Sequence, residues 1–350
     1  MNETLKAPFP WFGGKSKVAE LVWSRFGCTG NYVEPFAGSL AVLLGRPHEA
    51  ATETVNDKDA FLSNFWRAIQ FDPETTARWA DWPVSEPDLE ARHRWLMNTG
   101  AARLELVKAD PHFFDAQVAG WWVWGLCSWI GSGWCVQRRN GDQPRQMPHC
   151  GNAGMGINRQ LAPVEVYRQH PHLMSSKGIN SERGADILAY FEALSDRLRR
   201  VRVCCGDWTR VLGESVTVNH GMTAVFLDPP YGGEIERDND LYAADSLTVS
   251  QDVRAWAIAN GGNPLLRIAL CGYEGEHTMP PEWECIAWKA GGGYGSQANG
   301  LGRQNSTRER IWFSPACIRP EEELFPLCAP NAKIPQKSAL FALDAPALRA

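Results

Sequence analysis

The chain has no run of roughly eighteen or more apolar residues, the length a helix needs to cross a bilayer. Its first ten residues also lack the basic, apolar and small-residue succession of a secretory signal. A soluble, cytoplasmic protein with no membrane partner is therefore expected. The ten cysteines include no Cys-x-x-Cys, and no histidine pair at metal-ligand spacing stands beside them. They read as reduced, mostly buried thiols, and no metal site is expected. Neither sign of charge dominates. A formal net charge of −5 argues against non-specific coating of nucleic acid and leaves room for a local basic stripe. No internal repeat is present, and no obligate protein partner is evident.

What is there suits a globular fold. A chain of 350 residues can bury a core without disulfides or a structural metal. Its 44% hydrophobic and 21% charged residues exclude a disordered, collagen-like or coiled-coil chain. Sixteen tryptophans suit either a well-filled core or surfaces that stack on planar ligands.

The first part alternates strand and helix patterns. Val18, Leu21 and Val22 follow Lys15 at helical spacing, residues 31–34 are short and β-prone, and residues 40–44 begin a helix. Residues 53–55 form a second strand ending at Asn56-Asp57, followed by a helix with Phe61, Phe65 and Ile69 one turn apart. This is a βαβ beginning, which implies a parallel sheet. Residues 72–183 break the alternation with Pro, Trp and Gly clusters, an aromatic stretch at 121–134 and a polar stretch at 137–156. From residue 184 the pattern resumes. Ile187, Leu188, Phe191, Leu194 and Leu198 share a helix face, with strands at 201–205 and 224–227, a helix at 250–259 capped by Ser250, and a strand at 265–270. The expected division is an α/β domain from residues 1–70 and 184–320, an inserted domain at 71–183, and a flexible tail at 321–350.

Asp228-Pro229-Pro230-Tyr231 closes an apolar strand. Two prolines hold the backbone extended and remove two N–H donors, so carbonyls can accept in a cleft beside a carboxylate and an aromatic ring. Such a site suits an exocyclic amine, although a Pro-Pro turn with a surface aspartate gives the same residues. Glu34-Pro35-Phe36-Ala37-Gly38-Ser39 also leads from strand to helix, either as an ordinary βα loop or as a loop whose glycine lets backbone approach a ligand. Asp57 ends the next strand, where an acidic residue can accept from ribose hydroxyls. Residues 121–134 fit a core better than a base-stacking platform. Arg197, Arg199, Arg200 and Arg202 read as a solvated face at a helix end, with phosphate contact as the alternative. Gly291-Gly292-Gly293-Tyr294-Gly295 reads as a flexible loop.

These residues resemble the Dam-type adenine-N6 DNA methyltransferases, which use S-adenosylmethionine. Pro10-Trp11-Phe12-Gly13-Gly14-Lys15 looks like the family's W-x-G-G-K segment, so the resemblance assigns Trp11, Gly14 and Lys15 to the cofactor. Residues 34–38 look like its E-P-F-x-G loop, which adds Glu34, Phe36 and Gly38. Asp57-Lys58-Asp59 with Leu62 and Trp66 looks like D-x-N-x-x-L-x-x-x-Y, and Gly206-Asp207-Trp208 like a G-D-F segment, which adds Asp57, Asp207 and Trp208. Asp228, Pro229, Pro230 and Tyr231 resemble the catalytic D-P-P-Y, with Asp228 also beside the cofactor. Arg138-Arg139-Asn140 loosely resembles part of the recognition stretch and is expected to contact double-stranded DNA. The chain departs from the family at Leu40, where a second glycine is usual, and at Asp59, where asparagine is usual.

The resemblance implies a Rossmann-like S-adenosylmethionine-dependent methyltransferase domain with an inserted, mainly helical or irregular target-recognition domain. It also implies transfer of a methyl group to N6 of a flipped adenine. Cytosine-C5 chemistry would need a Pro-Cys nucleophile, and no Pro-Cys dipeptide occurs. The alternatives are cytosine-N4 methylation and a DNA-binding protein that keeps the fold without turnover. Compact size without a restriction or translocase module points to a solitary enzyme, with a phage origin as one hypothesis.

Overall fold

The computed structural model describes residues 5–6, 8–9, 11, 14–48, 51–110, 112–129, 134–135, 187–231, 248–289 and 307–319. Arg138, Arg139, Asn140, the glycine loop at 291–295 and the tail at 321–350 lie outside these.

After Lys15 the helical spacing yields α1 (Ala19–Phe26), which buries Val22, Trp23 and Phe26. Then come β1 (Asn31–Glu34), α2 (Ala41–Leu44), β2 (Thr52–Asp57) and α3 (Ala60–Phe71). Asp59 caps α3, its carboxylate accepting from the N–H groups of Phe61 and Leu62, bonds that an asparagine side chain would also accept. Next come α4 (Pro73–Ala80), α5 (Glu86–Trp95), a π-helical turn (Leu96–Gly100), α6 (Ala101–Leu104), α7 (Leu106–Ala109) and α8 (Ala116–Ser128). The chain then gives α9 (Ile187–Leu198), β3 (Val201–Cys205), β4 (Thr223–Leu227), α10 (Val249–Asn260), β5 (Leu266–Tyr273), β6 (Glu284–Ala287) and β7 (Glu309–Phe313). The expectation that Ser250 caps α10 is corrected. Ser250 lies inside the first turn and its hydroxyl donates to Glu276 at 2.6 Å.

The strands form one seven-stranded sheet in the order β3-β2-β1-β4-β5-β7-β6. Strands β1 to β5 run parallel, and β7 is antiparallel to both β5 and β6. Strand β4 is buried at every position, as expected of a parallel strand covered on both faces. The order reverses between β1 and β4, which opens a crevice at their carboxyl ends. Residues 34–39 and 228–231 leave the sheet there. This mixed α/β sheet is consistent with a Rossmann-like methyltransferase fold.

Helices α4 to α8 do not stand apart from the sheet's core. Phe65 of α3 lies 5.7 Å from the Trp122 ring of α8 and 5.9 Å from Phe191 of α9. Trp122, Trp124, Trp129 and Trp134 are all buried, so this aromatic stretch is core. Arg92 is sealed in among Trp82, Trp121 and Trp124, at 4.8, 5.0 and 4.3 Å from their ring centres. Arg197 corrects the solvated-face reading for one member of its run. It donates to both Glu53 oxygens, at 2.7 and 2.9 Å, alongside Arg46. Arg199, Arg200 and Arg202 remain exposed.

Leu40 adopts a left-handed conformation, φ 54° and ψ 25°, and is fully buried. That backbone costs a non-glycine residue about 1–2 kcal/mol, whereas truncating a buried leucine costs about 2–5 kcal/mol. Burial outweighs strain, so Leu40→Gly should destabilise the fold by about 1–3 kcal/mol in urea denaturation. Unchanged or raised stability would show that strain dominates.

Candidate active site

The N-terminal segment and the loop after β4 meet through a buried ion pair. Lys15 Nζ lies 2.8 Å from Asp228 Oδ2, with the lysine side chain only 5% exposed. Burial by itself would lower the Lys15 pKa, but Asp228, with Cys271 and Glu309 behind it, raises it above the ordinary lysine value. The ammonium is therefore permanent near neutral pH. Lys15 Nζ also lies 5.3 Å from the Tyr231 ring centre and 5.6 Å from that of Trp288.

Asp228 Oδ1 accepts from the Tyr231 hydroxyl at 3.0 Å, and that hydroxyl also lies 2.9 Å from Glu309 Oε2. The Tyr231 ring packs edge-on to Tyr273 at 4.7 Å. Burial, with the charges of Asp228, Cys271 and Glu309, pushes the phenol well above its ordinary range. It stays neutral. Pro229 is buried and Pro230 half-buried. Glu34 points from β1 toward the same region, taking the Tyr32 hydroxyl at 3.0 Å. Burial raises its pKa well above the carboxylate range, and the nearby Asp228 and Glu53 charges add to this against the Tyr32 bond.

A second group shapes the loop after β1. Gly38 has φ +47°, and a Cβ there would come within 2.6 Å of Trp11 Nε1. Only glycine fits under that indole. The Gly14 N–H donates to the Trp11 carbonyl at 3.2 Å, which closes the turn carrying the indole. Asp57 accepts from the Gly38 N–H at 3.1 Å and from the Asp59 N–H at 2.9 Å, so its carboxylate already organises the loop. Phe36 and Trp208 stack at 6.2 Å and 29°. Asp207 is exposed and bonds its own turn through the Thr209 hydroxyl and N–H, which lower its pKa.

The structure thus brings Lys15, Glu34, Asp228 and Tyr231 into one cluster, and Trp11, Gly38 and Asp57 into another. Phe36 pairs with Trp208, and Asp207 joins neither cluster. Three contributors went unread in the sequence. Asn56 Nδ2 straps two loops, donating to the Pro35 and Gly206 carbonyls at 3.0 Å each. Glu309 touches Tyr231, and Trp288 brings a buried Nε1–H that has no acceptor among the described residues. Asn56 adjoins a motif aspartate at a strand end, which was a usable signal, whereas Glu309 and Trp288 belong to no motif.

This arrangement presents carboxylates, a carbonyl-rich proline loop and flat aromatic faces at a parallel-sheet switch point. Residues 11–81 match the D12 class N6 adenine-specific DNA methyltransferase family. The match begins at Trp11 and takes in Lys15, the loop at 34–39 and Asp57. It supports the adenine methyltransferase family, whose members are enzymes that methylate adenine N6 in DNA and generally use S-adenosylmethionine. Among curated proteins no significant match is found. Among the described residues no cluster of three or more His, Cys, Asp or Glu side chains is placed to hold a metal, and no helix is long and apolar enough to cross a membrane.

Burial, with Asp59 adding to it, pushes Asp57 up to about 7, against the backbone N–H groups of Asp59, Gly38 and Lys58. The unfolded chain releases this proton near pH ~4, so between about 4 and 7 the native state binds more protons and loses stability as pH rises. Asp57→Asn should flatten part of that decline in urea denaturation at a series of pH values. An unchanged slope would contradict the assignment.

Proposed function

We propose that this cleft transfers a methyl group to N6 of an adenine flipped out of double-stranded DNA, in the cytoplasm. The observation that carries the reading is the Lys15–Asp228 pair, which joins the N-terminal motif of the matched family segment to the D-P-P-Y loop. A base within a duplex cannot offer its amine to a cleft, so the adenine must leave the stack, at a cost of a few kcal/mol.

S-Adenosylmethionine, when bound, supplies an electrophilic methyl on a sulfonium. The residues present fit it. Phe36 and Trp208 offer flat faces for its purine, Asp57 and Glu34 offer acceptors, and the Trp288 Nε1–H, without an acceptor among the described residues, suits its carboxylate. Trp11 and Gly38 shape the backbone beside it, with Gly14 holding the turn and Asp207 at the rim.

Asp228 is the acceptor for one amine hydrogen. Each carboxylate oxygen has more than one acceptor position, so Asp228 can accept while still held by Lys15 and Tyr231. The Pro229 carbonyl takes the second hydrogen, and Pro230 keeps that backbone extended. With both hydrogens fixed, the nitrogen lone pair is directed at the methyl. The Asp228 carboxylate, held in place by Lys15, stabilises the positive charge that develops on N6. Tyr231, tethered at its hydroxyl, offers a fixed ring for the base to stack on. Arg138, Arg139 and Asn140 are assigned to DNA contact.

Purified protein with unmethylated genomic DNA and methyl-labelled S-adenosylmethionine should yield N6-methyladenine in nucleoside mass analysis. Asp228→Ala should lower transfer by about 100-fold or more while still binding cofactor. N4-methylcytosine as the product, or unimpaired Asp228→Ala, would overturn the reading.

A further inference from the structure

Two strands that carry none of the site's motifs bring cations to its mouth. Strands β4 and β5 end at the crevice, and β7, running the other way, begins there with Glu309 opposite Tyr273. Arg308 is the residue before β7. Its carbonyl accepts from the Glu274 N–H at 2.7 Å, which ties it to the end of β5. Strand β6 ends at the same edge, where the Trp288 N–H donates to the Glu309 carbonyl at 3.2 Å. The next residue, Lys289, is exposed.

The Arg308 guanidinium lies over the Tyr273 ring, 5.6 Å from its centre, and the Tyr273 ring lies 4.7 Å from that of Tyr231. One aromatic ring thus separates this cation from the tyrosine proposed to stack on the flipped base. Among the described residues Arg308 has no carboxylate partner, and its guanidinium makes only a long hydrogen bond, 3.4 Å, to the Glu274 carbonyl. The acidic side chains nearby are engaged elsewhere. Glu274 pairs with Arg310 at 2.8 Å, Glu276 accepts from the Ser250 hydroxyl and the Tyr273 N–H, and Glu309 is buried against Tyr231.

An arginine resting on a tyrosine face keeps the donors at its edge available. That fork matches a phosphate, and phosphate contacts are what fix a nucleic acid in register. A chain of net charge −5 has no general attraction for DNA, so local cations must supply it.

We infer that Arg308, with Lys289 at the same edge, is a positioning residue that grips a backbone phosphate flanking the flipped adenine. The nucleotide is then held at both ends, its base by Asp228, the Pro229 carbonyl and Tyr231, and its backbone by Arg308. The inference rests on the methyl-transfer reading for the identity of the nucleotide, whereas the phosphate contact is measurable by binding alone.

Arg308→Gln should raise the DNA KM roughly tenfold, the effect of losing a hydrogen bond between charged groups. The cofactor KM should not move, since S-adenosylmethionine carries no phosphate. The slope of log affinity for duplex DNA against log salt should fall by about 1, and Arg308→Lys, which keeps the charge, should keep the slope. The position of the phosphate is read on a duplex carrying the adenine mapped by labelling of genomic DNA, with the phosphates beside that adenine replaced by neutral methylphosphonates. Wild type should bind this duplex about as weakly as Arg308→Gln binds the unmodified one, and Arg308→Gln should lose no more. Additive losses, an unchanged salt slope, or a rise in cofactor KM in place of DNA KM overturns the inference. If wild-type protein labels no DNA, the methyl-transfer reading falls, and the salt slope on a mixed-sequence duplex alone decides whether Arg308 meets a phosphate.

Discussion

A lysine ammonium and an aspartate carboxylate, each expensive to remove from water, meet at the centre of this site. Lys15 comes from the segment before α1 and Asp228 from the end of β4, so their contact joins parts of the chain that are far apart in sequence. Burying such a pair yields little net stability, but removing one partner leaves an uncompensated buried charge and typically costs about 3–5 kcal/mol. The pair is therefore a constraint on geometry. It fixes the Asp228 side chain, places a cation over the Tyr231 ring, and holds the segment before α1 against the sheet's open end.

The rest of the site is arranged around that constraint by the sheet. Parallel strands place successive loops along one edge, and polar side chains then tie the loops together. Asn56 bonds the β1 and β3 loops at once, and Asp57 bonds the Gly38 and Asp59 backbone. Asp57 holds the Gly38 turn, and in the proposed function it also serves as an acceptor for a ribose. Leu40 shows the same economy. It takes a left-handed backbone, one that glycine adopts freely, and in exchange fills the core beneath the loop.

Much of the fold was legible because β1 to β5 are short, β-prone runs that end at polar turns, with helical spacing between them. Strands β6 and β7 were not. Residues of β6 alternate between half-buried and exposed, and β7 opens with Glu309 and Arg310, so neither carries the apolar run of a central strand. Ser250 looked like a cap because serine commonly caps, but its hydroxyl found Glu276 across the fold. The motif residues were legible one by one, and their pairing was not. Lys15 read as a cofactor ligand and Asp228 as an amine acceptor, and only the fold shows the two bonded. Arg197 and Glu309 were opaque for the same reason, since their partners, Glu53 and Tyr231, lie on distant strands or loops.

The most direct test of this account is a double-mutant cycle on the central pair, with Lys15→Met, Asp228→Asn and the double variant compared in urea denaturation. The account predicts that the double variant loses less stability than the two single variants summed, with a coupling of about 1–3 kcal/mol. Strict additivity would show that Lys15 and Asp228 act independently and would contradict it.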